Sequence, residues 1–244
     1  MLWFRICTFI GAILFKIDIY NIMVHSDLIP FLTELRDNNN REWFAENKAR
    51  YDFLRLTLNK FIEKLIVNMQ LIDNDLRGIS VSDCTFRIYR DVRFSLDKSP
   101  YKSNMGAWLV RGGKKSNFAG YYLHLEPDNC FVAGGLYLPP PPVLKAVRTD
   151  IYENIEEFTP IMFNALFAET FGDLDREDAL TRPPKGFSAD FEHIDWIKLK
   201  SFTVSSAFTK PYPQTEDELL DILLEKFKIL MPFNQHLNKI VENM

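Results

Sequence analysis

The chain has 244 residues, of which 47% are hydrophobic and 25% charged, so we expect a soluble globular protein with a sizeable buried core. Its net charge of −4 argues against a protein that coats nucleic acid along its whole surface. The three cysteines are Cys7, Cys84 and Cys130, and their wide spacing indicates free thiols rather than a disulfide framework. Free thiols persist in a reducing compartment, so we expect a cytoplasmic protein.

The first 22 residues differ from the rest of the chain. Their apolar run, Ile6 to Phe15, is shorter than the roughly 20 residues that a membrane-spanning helix needs, so we expect no membrane association. We interpret residues 1–22 as an extension upstream of a start at Met23, with a docked native segment and a targeting signal as the alternatives. Residues 23–244 are expected to form a single α+β domain.

The N-terminal third is predicted to be helical. A short helix is predicted over residues 26–36, and residues 37–40 end it because short polar side chains compete for backbone hydrogen bonds. Asn40 is the predicted N-cap of a long helix, in which apolar residues recur at steps of three and four. The dipeptide Arg77-Gly78 is expected to end this helical region.

The middle of the chain changes to a period of two. Residues 85–94 are rich in β-branched and aromatic side chains and predict a strand, while residues 102–120 are expected to be partly loop. Residues 121–126 and 130–138 flank a Pro-Asp-Asn turn and predict a β-hairpin. The glycine pair Gly134-Gly135 in its second strand predicts a bulge or a close backbone approach.

The C-terminal part returns to helices. Four prolines, residues 139–142, end the sheet and lead into a helix, and a later helix is expected to end at Gly172. Residues 202–208 predict a strand, and Thr215 begins a last helix that Pro232 should interrupt or kink. Helices at both ends with strands between them predict an α+β fold, with a central, mainly antiparallel sheet flanked by N-terminal and C-terminal helices.

Positive charge is concentrated in one segment. From Arg87 to Lys115 there are eight lysines and arginines and two acids, a local net charge of +6, so the rest of the chain sums to −10. A positive block in an otherwise acidic protein predicts an anion-binding site.

The strand predicted over residues 85–94 would place Arg87 and Arg93 on one face with Asp91 between them. Side chains at alternate positions lie about 6.5 Å apart, a spacing that suits bidentate capture of a phosphate or carboxylate. Arg90 lies among apolar residues and needs a partner, because burying an unpaired guanidinium is costly. The structural alternative is an ion-pair network with Asp91 and Asp97 as internal partners.

The turn that follows this segment carries three more polar groups. Pro100 fixes the backbone between Lys98 and Lys102. Asp97, Lys98 and Tyr101 supply a base, a cation and a hydroxyl donor within a few residues. A solvated turn has the same composition. The functional interpretation of this turn is therefore favoured only by its position next to the arginines.

Two further residues lie outside the basic segment. His124 lies in a predicted strand on the same face as Tyr122 and Glu126, and it can act as a general base or acid near neutral pH. The alternative is a histidine that serves only the fold. Arg148, in the helix after the prolines, is a further candidate cation, with a solvated helix face as its alternative.

Several kinds of site find no support in the sequence. The four histidines show no metal-ligand spacing with Cys, Asp or Glu, so we expect no metal. Residues 112–116 contain Gly-Gly-Lys-Lys-Ser but lack the spacing of a phosphate-binding loop, and no dinucleotide-binding or serine-hydrolase motif is present. We therefore expect no cofactor.

The basic segment resembles the motif of a bacterial family of conserved hypothetical proteins, domain of unknown function family 2461. The residues that carry the resemblance are Arg87, Arg90, Asp91, Arg93, Phe94, Asp97, Lys98 and Tyr101. The family's N-terminal Asn-Asn-x-x-Trp-Phe element is similar to residues 39–44, and the resemblance covers roughly Asp27 to the C-terminus. It implies no activity, substrate or cofactor.

Our preferred hypothesis is an anion-binding pocket for a small ligand with a phosphate or carboxylate group, belonging to a phosphoryl-handling enzyme if the protein is catalytic. The alternatives are a module that binds nucleic acid or an acidic protein partner, and a purely structural ion-pair network. The catalytic candidates are Asp97 and His124. The ligand-binding candidates are Arg87, Arg90, Asp91, Arg93, Lys98, Tyr101, Lys102 and Arg148.

Overall fold

The computed structural model describes residues 27–208, 213 and 215–244, so the prediction for residues 1–22 lies outside the described residues. Its helices are α1 (Leu28–Asp37), α2 (Arg41–Glu46), α3 (Lys48–Gln70), α4 (Val81–Cys84), α5 (Pro141–Glu153), α6 (Ile155–Met162), α7 (Ala165–Phe171), α8 (Ile194–Ile197) and α9 (Glu216–Glu242), with a 3₁₀ turn at Asn74–Leu76. Its strands are β1 (Met105–Leu109), β2 (Gly120–Leu125), β3 (Phe131–Leu136) and β4 (Phe202–Ala207). The α+β prediction is confirmed.

The four strands form one antiparallel sheet in the order β1-β2-β3-β4. The predicted hairpin is confirmed as β2 and β3, in which Tyr122 lies opposite Ala133 and His124 opposite Phe131. Strand β4 joins at the far edge and also pairs antiparallel with β3, although it comes from a distant part of the chain.

Alternation along the strands gives the sheet two different faces. One face carries the fully buried Ala107, Leu123 and Val132, and helix α9 packs against it. The other face carries Trp108, Tyr122, His124 and Phe131 among its residues, and no helix lies flat on it within the described part of the chain. We call this second surface the open face.

Helix α9 approaches the sheet very closely. A Cβ atom at Gly134 would lie 2.3 Å from the Leu230 side chain of α9, and one at Gly135, whose φ is +110°, would lie 2.0 Å from the Phe202 carbonyl oxygen. The predicted close backbone approach at these glycines is therefore confirmed, because a larger residue at either position would collide with its neighbour.

The last helix begins where the sequence predicts and is one continuous helix. The Thr215 side chain accepts a hydrogen bond from the Glu218 backbone N–H at 3.1 Å, as expected for an N-cap. Helix α9 then runs from Glu216 to Glu242 without interruption at Pro232. Its apolar residues, including Phe227 and Phe233, are fully buried, so tertiary packing outweighs the hydrogen bond that proline removes.

The N-terminal helices also follow the predicted pattern, with one extra break. The Asn40 side chain accepts a hydrogen bond from the Trp43 backbone N–H at 2.9 Å, which confirms the predicted N-cap. The predicted long helix is divided at Asn47 into α2 and α3.

The strand predicted over residues 85–94 is wrong. Only two short stretches of it pair: Thr85 bridges to Ala107 of the sheet, and residues 88–90 lie antiparallel to residues 100–102. The second pairing is made by the Arg90 N–H to Pro100 carbonyl bond of 2.9 Å and the Lys102 N–H to Ile88 carbonyl bond of 2.8 Å. The side chains of the loop between them bond to nearby backbone N–H groups instead, which competes with strand pairing. The strand lies further on, because residues 105–109 of the predicted loop form β1. We call residues 88–102 the basic hairpin.

Within the described residues, no helix combines the length and hydrophobicity needed to cross a bilayer. In the same part of the chain, no group of three or more His, Cys, Asp or Glu side chains is placed to hold a metal ion.

Candidate ligand-binding cleft and basic hairpin

The tip of the basic hairpin is held by its own carboxylates. Arg93 donates two parallel hydrogen bonds to Asp91, from Nε at 2.9 Å and from the terminal nitrogen at 2.7 Å. Arg90 forms an ion pair with Asp97. The predicted site arginines Arg90 and Arg93 are therefore engaged within the loop, as the ion-pair alternative expected.

The remaining polar groups of the tip also bond locally. Asp97 accepts hydrogen bonds from the Ser99 backbone N–H at 2.9 Å and the Ser99 hydroxyl at 2.6 Å. Lys98 donates to the Val92 carbonyl oxygen at 3.0 Å. The tip itself presents Phe94 and Leu96, whose side chains are fully exposed.

These contacts shift the pKa values of both loop carboxyls downward. The Arg93 side chain, followed by the Arg93 backbone N–H, holds the pKa of Asp91 below its usual value. Hydrogen bonds from Ser99 and then Arg90 hold the pKa of Asp97 far below its usual value. Asp97 is therefore a firmly ionised partner, and we do not retain it as a base.

The base of the hairpin is anchored by Asn39, the residue before the N-cap of α2. The Asn39 amide donates to the Tyr101 carbonyl oxygen at 3.0 Å and accepts from the Tyr101 backbone N–H at 3.1 Å. The Tyr101 ring is buried and stacks on Phe44, with ring centroids 4.0 Å apart. Burial raises the pKa of the Tyr101 hydroxyl. The two sequence elements that carry the family resemblance thus contact each other directly, a link that local patterns do not reveal.

A narrow crevice lies between helix α3 and the start of the basic hairpin. Its volume is about 20 Å³, and three cations line it: Arg55, Arg87 and Lys102. No acidic residue is among the described residues that line it. Sequence reasoning missed Arg55, because a single arginine on an amphipathic helix has the pattern of a solvated face.

A cleft of about 830 Å³ lies over the open face of the sheet. Its aromatic lining residues are Phe86, Trp108, Phe118, Tyr122, Phe131 and Tyr137. Its volume is in the range of small-molecule sites, and an aromatic lining with a few converging polar groups is typical of them. The cleft residues Trp108, Tyr122 and Phe131 come from three adjacent strands, so the sheet fixes their spacing.

Three side chains on β2 and the following turn form a hydrogen-bonded chain at the cleft. The Tyr122 hydroxyl lies 2.9 Å from Nδ1 of His124, and Nε2 of His124 lies 3.1 Å from a carboxylate oxygen of Glu126. The prediction that these three residues share a face is confirmed, although strand β2 ends at Leu125. Ser103 and Asn129 also donate to Glu126, at 3.0 Å and 3.3 Å.

The pKa shifts in this chain set the direction of its hydrogen bonds. Burial raises the pKa of Glu126, but hydrogen bonds from His124, Ser103 and Asn129 outweigh it, so its pKa lies below the usual value. Burial and then the charge of Glu126 raise the pKa of Tyr122 to about 12. An ionised Glu126 only accepts, so Nε2 of His124 carries a proton and, in the neutral ring, Nδ1 accepts from the Tyr122 hydroxyl.

The aromatic surroundings hold this chain in place. The His124 ring stacks on Phe131, with centroids 4.6 Å apart. The Tyr122 ring makes edge contacts with Phe86, Trp108 and Phe131, at centroid distances of 6.5, 6.1 and 6.0 Å. Both ring nitrogens of His124 are occupied, so the Tyr122 hydroxyl is the member of the chain that can exchange a proton with a ligand in the cleft.

The cleft carries charges of both signs. Its cations are Lys114 and Lys200, and its acids are Asp175, Glu177 and Asp178. The Lys114 ammonium donates to two backbone carbonyl oxygens, those of Ser82 and Thr85, at 2.5 and 2.8 Å. The cleft is therefore not a strongly positive site by itself.

The structure brings together only some of the predicted site residues. Arg87 and Lys102 share the crevice, and His124 lies at the cleft. Arg148 is buried in α5, where it donates to the Leu199 carbonyl oxygen at 2.6 Å and its Nε has no hydrogen-bond partner among the described residues. Burial lowers the pKa of Arg148. It lies outside both the crevice and the set of side chains that line the cleft.

Comparison with known proteins gives one match. A family described as conserved hypothetical protein (DUF2461) matches residues 27–236. No curated protein and no solved structure matches the chain. The match spans most of the sequence and agrees with the resemblance carried by the basic segment, so the chain belongs to the DUF2461 family.

Proposed function

We propose that the protein binds a small organic molecule in the cleft over the open face and exchanges a proton with it through Tyr122. The observation that carries this proposal is the placement of aromatic side chains on a sheet face that no helix covers in the described residues. An open face normally carries polar side chains. Trp108, Tyr122 and Phe131 together form an apolar surface that a ligand would remove from water.

The hydrogen-bonded chain gives this cleft a route for a proton. A ligand group that loses a proton passes it to the Tyr122 oxygen, while the Tyr122 hydroxyl proton moves to Nδ1 of His124. The ring becomes an imidazolium, whose charge is balanced by the carboxylate of Glu126. In the reverse direction, Tyr122 donates a proton to a leaving or carbonyl oxygen. His124 is thus the proton store and Glu126 its orienting partner.

The ligand class that we propose is the one favoured by the sequence, a molecule with a phosphate or carboxylate group. In a phosphoryl-handling reaction, Tyr122 would protonate the oxygen that leaves. For Arg90 and Arg93, the ion pairs with Asp97 and Asp91 support the structural alternative instead. They also weaken the nucleic-acid alternative, because paired arginines release few counterions from a phosphate backbone.

Nuclear magnetic resonance of the indole N–H groups tests the cleft. Trp108 lines it, whereas Trp196 is buried elsewhere and donates its indole N–H to Asp173 at 2.9 Å. Aromatic probes such as 3-phenylpropanol and 3-phenylpropyl phosphate should shift the Trp108 signal and leave the Trp196 signal unchanged. If no probe moves Trp108, or if both signals move equally, the proposed cleft is wrong.

The proton route has its own test. Nitrogen chemical shifts should show the neutral His124 ring protonated at Nε2, and Tyr122→Phe should keep probe binding while changing the Nδ1 shift. His193→Gln is the matched control, because His193 stacks on Trp196 and does not line the cleft. A neutral ring protonated at Nδ1 would contradict the proposed route.

A further inference from the structure

The crevice between α3 and the basic hairpin holds positive charge that is not balanced by ion pairs. Arg87 makes no hydrogen bond or ion pair with any described residue, although its charge acts on Asp91 at longer range. The described part of the chain also gives Arg55 and Lys102 no carboxylate within ion-pair distance. Arg55 contacts the Tyr51 hydroxyl, and the Lys102 ammonium lies 5.4 Å from the centre of the Phe86 ring.

Like charges in the crevice repel one another. Burial lowers the pKa of Lys102, and the charge of Arg87 lowers it further. The protein therefore gathers three cations around one crevice with no acid among the described residues that line it, and the exposed side chains of Arg55 and Arg87 are accessible to an anion from solvent. By contrast, Arg90 and Arg93 in the same hairpin each have a carboxylate partner.

The size of the crevice limits what can enter it. A volume of about 20 Å³ admits a group the size of a water molecule. One oxygen atom of a phosphate or carboxylate fits this space, and the rest of the anion would remain at the mouth. The side-chain amides of Asn59 and Asn104 also line the crevice and add neutral hydrogen-bond donors.

The crevice and the cleft share one wall. Phe86 lines both of them, and its ring touches the Tyr122 ring on the cleft side and the Lys102 ammonium on the crevice side. A ligand whose apolar part lies in the cleft and whose anionic group reaches past Phe86 would contact both spaces.

We propose that the cleft ligand carries a phosphate or carboxylate group and that Arg55, Arg87 and Lys102 hold this group at the mouth of the crevice. This inference rests on the proposed function of the cleft. Arg87 is the main determinant, because its guanidinium is free to form two parallel hydrogen bonds with one anion.

Matched probe pairs separate the two proposals. The probes are 3-phenylpropyl phosphate and 3-phenylpropanol, with the shorter phenyl phosphate and phenol as a second pair, each titrated against the Trp108 indole signal. The wild-type protein should bind the longer phosphate about 10-fold more tightly than its alcohol, since one charge-assisted hydrogen bond contributes about this factor. Arg87→Ala should remove most of this difference and leave the affinity for the alcohol unchanged.

Three variants complete the experiment. Arg55→Ala should weaken phosphate binding less than Arg87→Ala, because Arg55 lies against the Tyr51 hydroxyl. Arg87→Lys should recover part of the affinity, and Arg93→Ala is the control because Arg93 is paired with Asp91 outside the crevice. Equal binding of phosphate and alcohol, or an equal effect of Arg87→Ala and Arg93→Ala, would overturn the anion site and the proposed phosphate or carboxylate class of ligand, and would leave binding in the cleft intact. If no probe of either pair binds, both the anion site and the proposed binding function of the cleft are wrong.

Discussion

The tip of the basic hairpin and the crevice at its base both contain cationic side chains. At the tip the arginines are paired with carboxylates, and at the base the cations have no such partner among the described residues. At the tip, Arg90 and Arg93 are paired with Asp97 and Asp91, and each carboxylate also bonds to a backbone N–H group. At the base, Arg87 faces a space lined by other cations and amides. The tip therefore uses charge to shape a loop, whereas the base leaves charge available to a ligand.

This difference shows that the density of charge in a sequence does not by itself locate a binding site. Residues 87–98 contain four cations and two acids, and the two acids are ion-paired with Arg90 and Arg93. The cations that remain available lie at the ends of the segment or on another element. Predictions that compare tip and base therefore test whether the paired arginines stabilise the loop and whether the unpaired cations bind a ligand.

The largest effect is expected from the anchor that joins the two regions. Asn39→Ala removes both hydrogen bonds to the Tyr101 backbone and leaves a partly buried donor and acceptor unsatisfied. We expect the free energy of unfolding to fall by about 2 kcal/mol. Urea denaturation measures it, with Asn38→Ala as the control because the Asn38 amide bonds only to the exposed end of α1. An equal loss in both variants would show that the anchor has no special role.

The next effect concerns the shape of the tip. Arg90→Ala should loosen the loop, so that chymotrypsin cleaves after the exposed Phe94 and Leu96 several-fold faster than in the wild type. Arg87→Ala should leave the cleavage rate unchanged, because Arg87 makes no contact that holds the loop. Time courses followed by mass spectrometry measure both rates. Faster cleavage in Arg87→Ala would mean that Arg87 at the base also stabilises the loop at the tip.

A smaller effect is expected in acid. Because the pKa values of Asp91 and Asp97 are lowered in the folded state, the unfolded chain binds more protons as the pH falls. Their contribution to stability is fully present above the unfolded pKa of about 4 and is lost as the pH falls through the lower folded values. The urea concentration at the denaturation midpoint should fall as the pH is lowered from 7 to 3. In Asp97→Asn this fall should be smaller. An unchanged slope in that variant would contradict a structural role for Asp97.

The smallest effect is expected from Lys98. Its ammonium donates to the Val92 carbonyl oxygen at an exposed position, so Lys98→Ala should change the free energy of unfolding by no more than about 0.5 kcal/mol. It should also leave probe binding in the cleft unchanged. A clear loss of phosphate affinity in this variant would return Lys98 to the ligand site that the sequence predicted.

The sequence predicted those helices and strands whose apolar residues, spaced at the period of a helix or a strand, are also the residues that tertiary packing buries. The alternating residues of β2 and β3 and the periodic apolar residues of α3 and α9 are buried as their spacing indicates. Residues 85–94 have the composition of a strand, but only Thr85 pairs with the sheet, at Ala107 of β1, and the rest of the segment does not extend this pairing. Strand β1 was missed because its five residues include Gly106 and lie in a segment rich in polar and turn residues.

The candidate site was only partly predictable for a similar reason. The alternation of a strand is enough to place Tyr122 and His124 on one face, and the sequence predicted this correctly. The role of Asn39 and the position of Arg55 depend on contacts between residues far apart in the chain. No local pattern encodes such contacts. Nor does composition reveal that Asp91 and Asp97 neutralise the arginines beside them.

The tight contact between Gly134 and Leu230 has a consequence for how this family can diversify. The sheet beneath the cleft cannot move toward α9, because no space is left between the two layers. Changes in the depth of the cleft are therefore expected at its rim, in residues 114–118, 137–140 and 175–178, and not from a shift of the sheet. We expect an evolving or engineered member to admit ligands of another size by exchanging these segments while its central strands keep their positions.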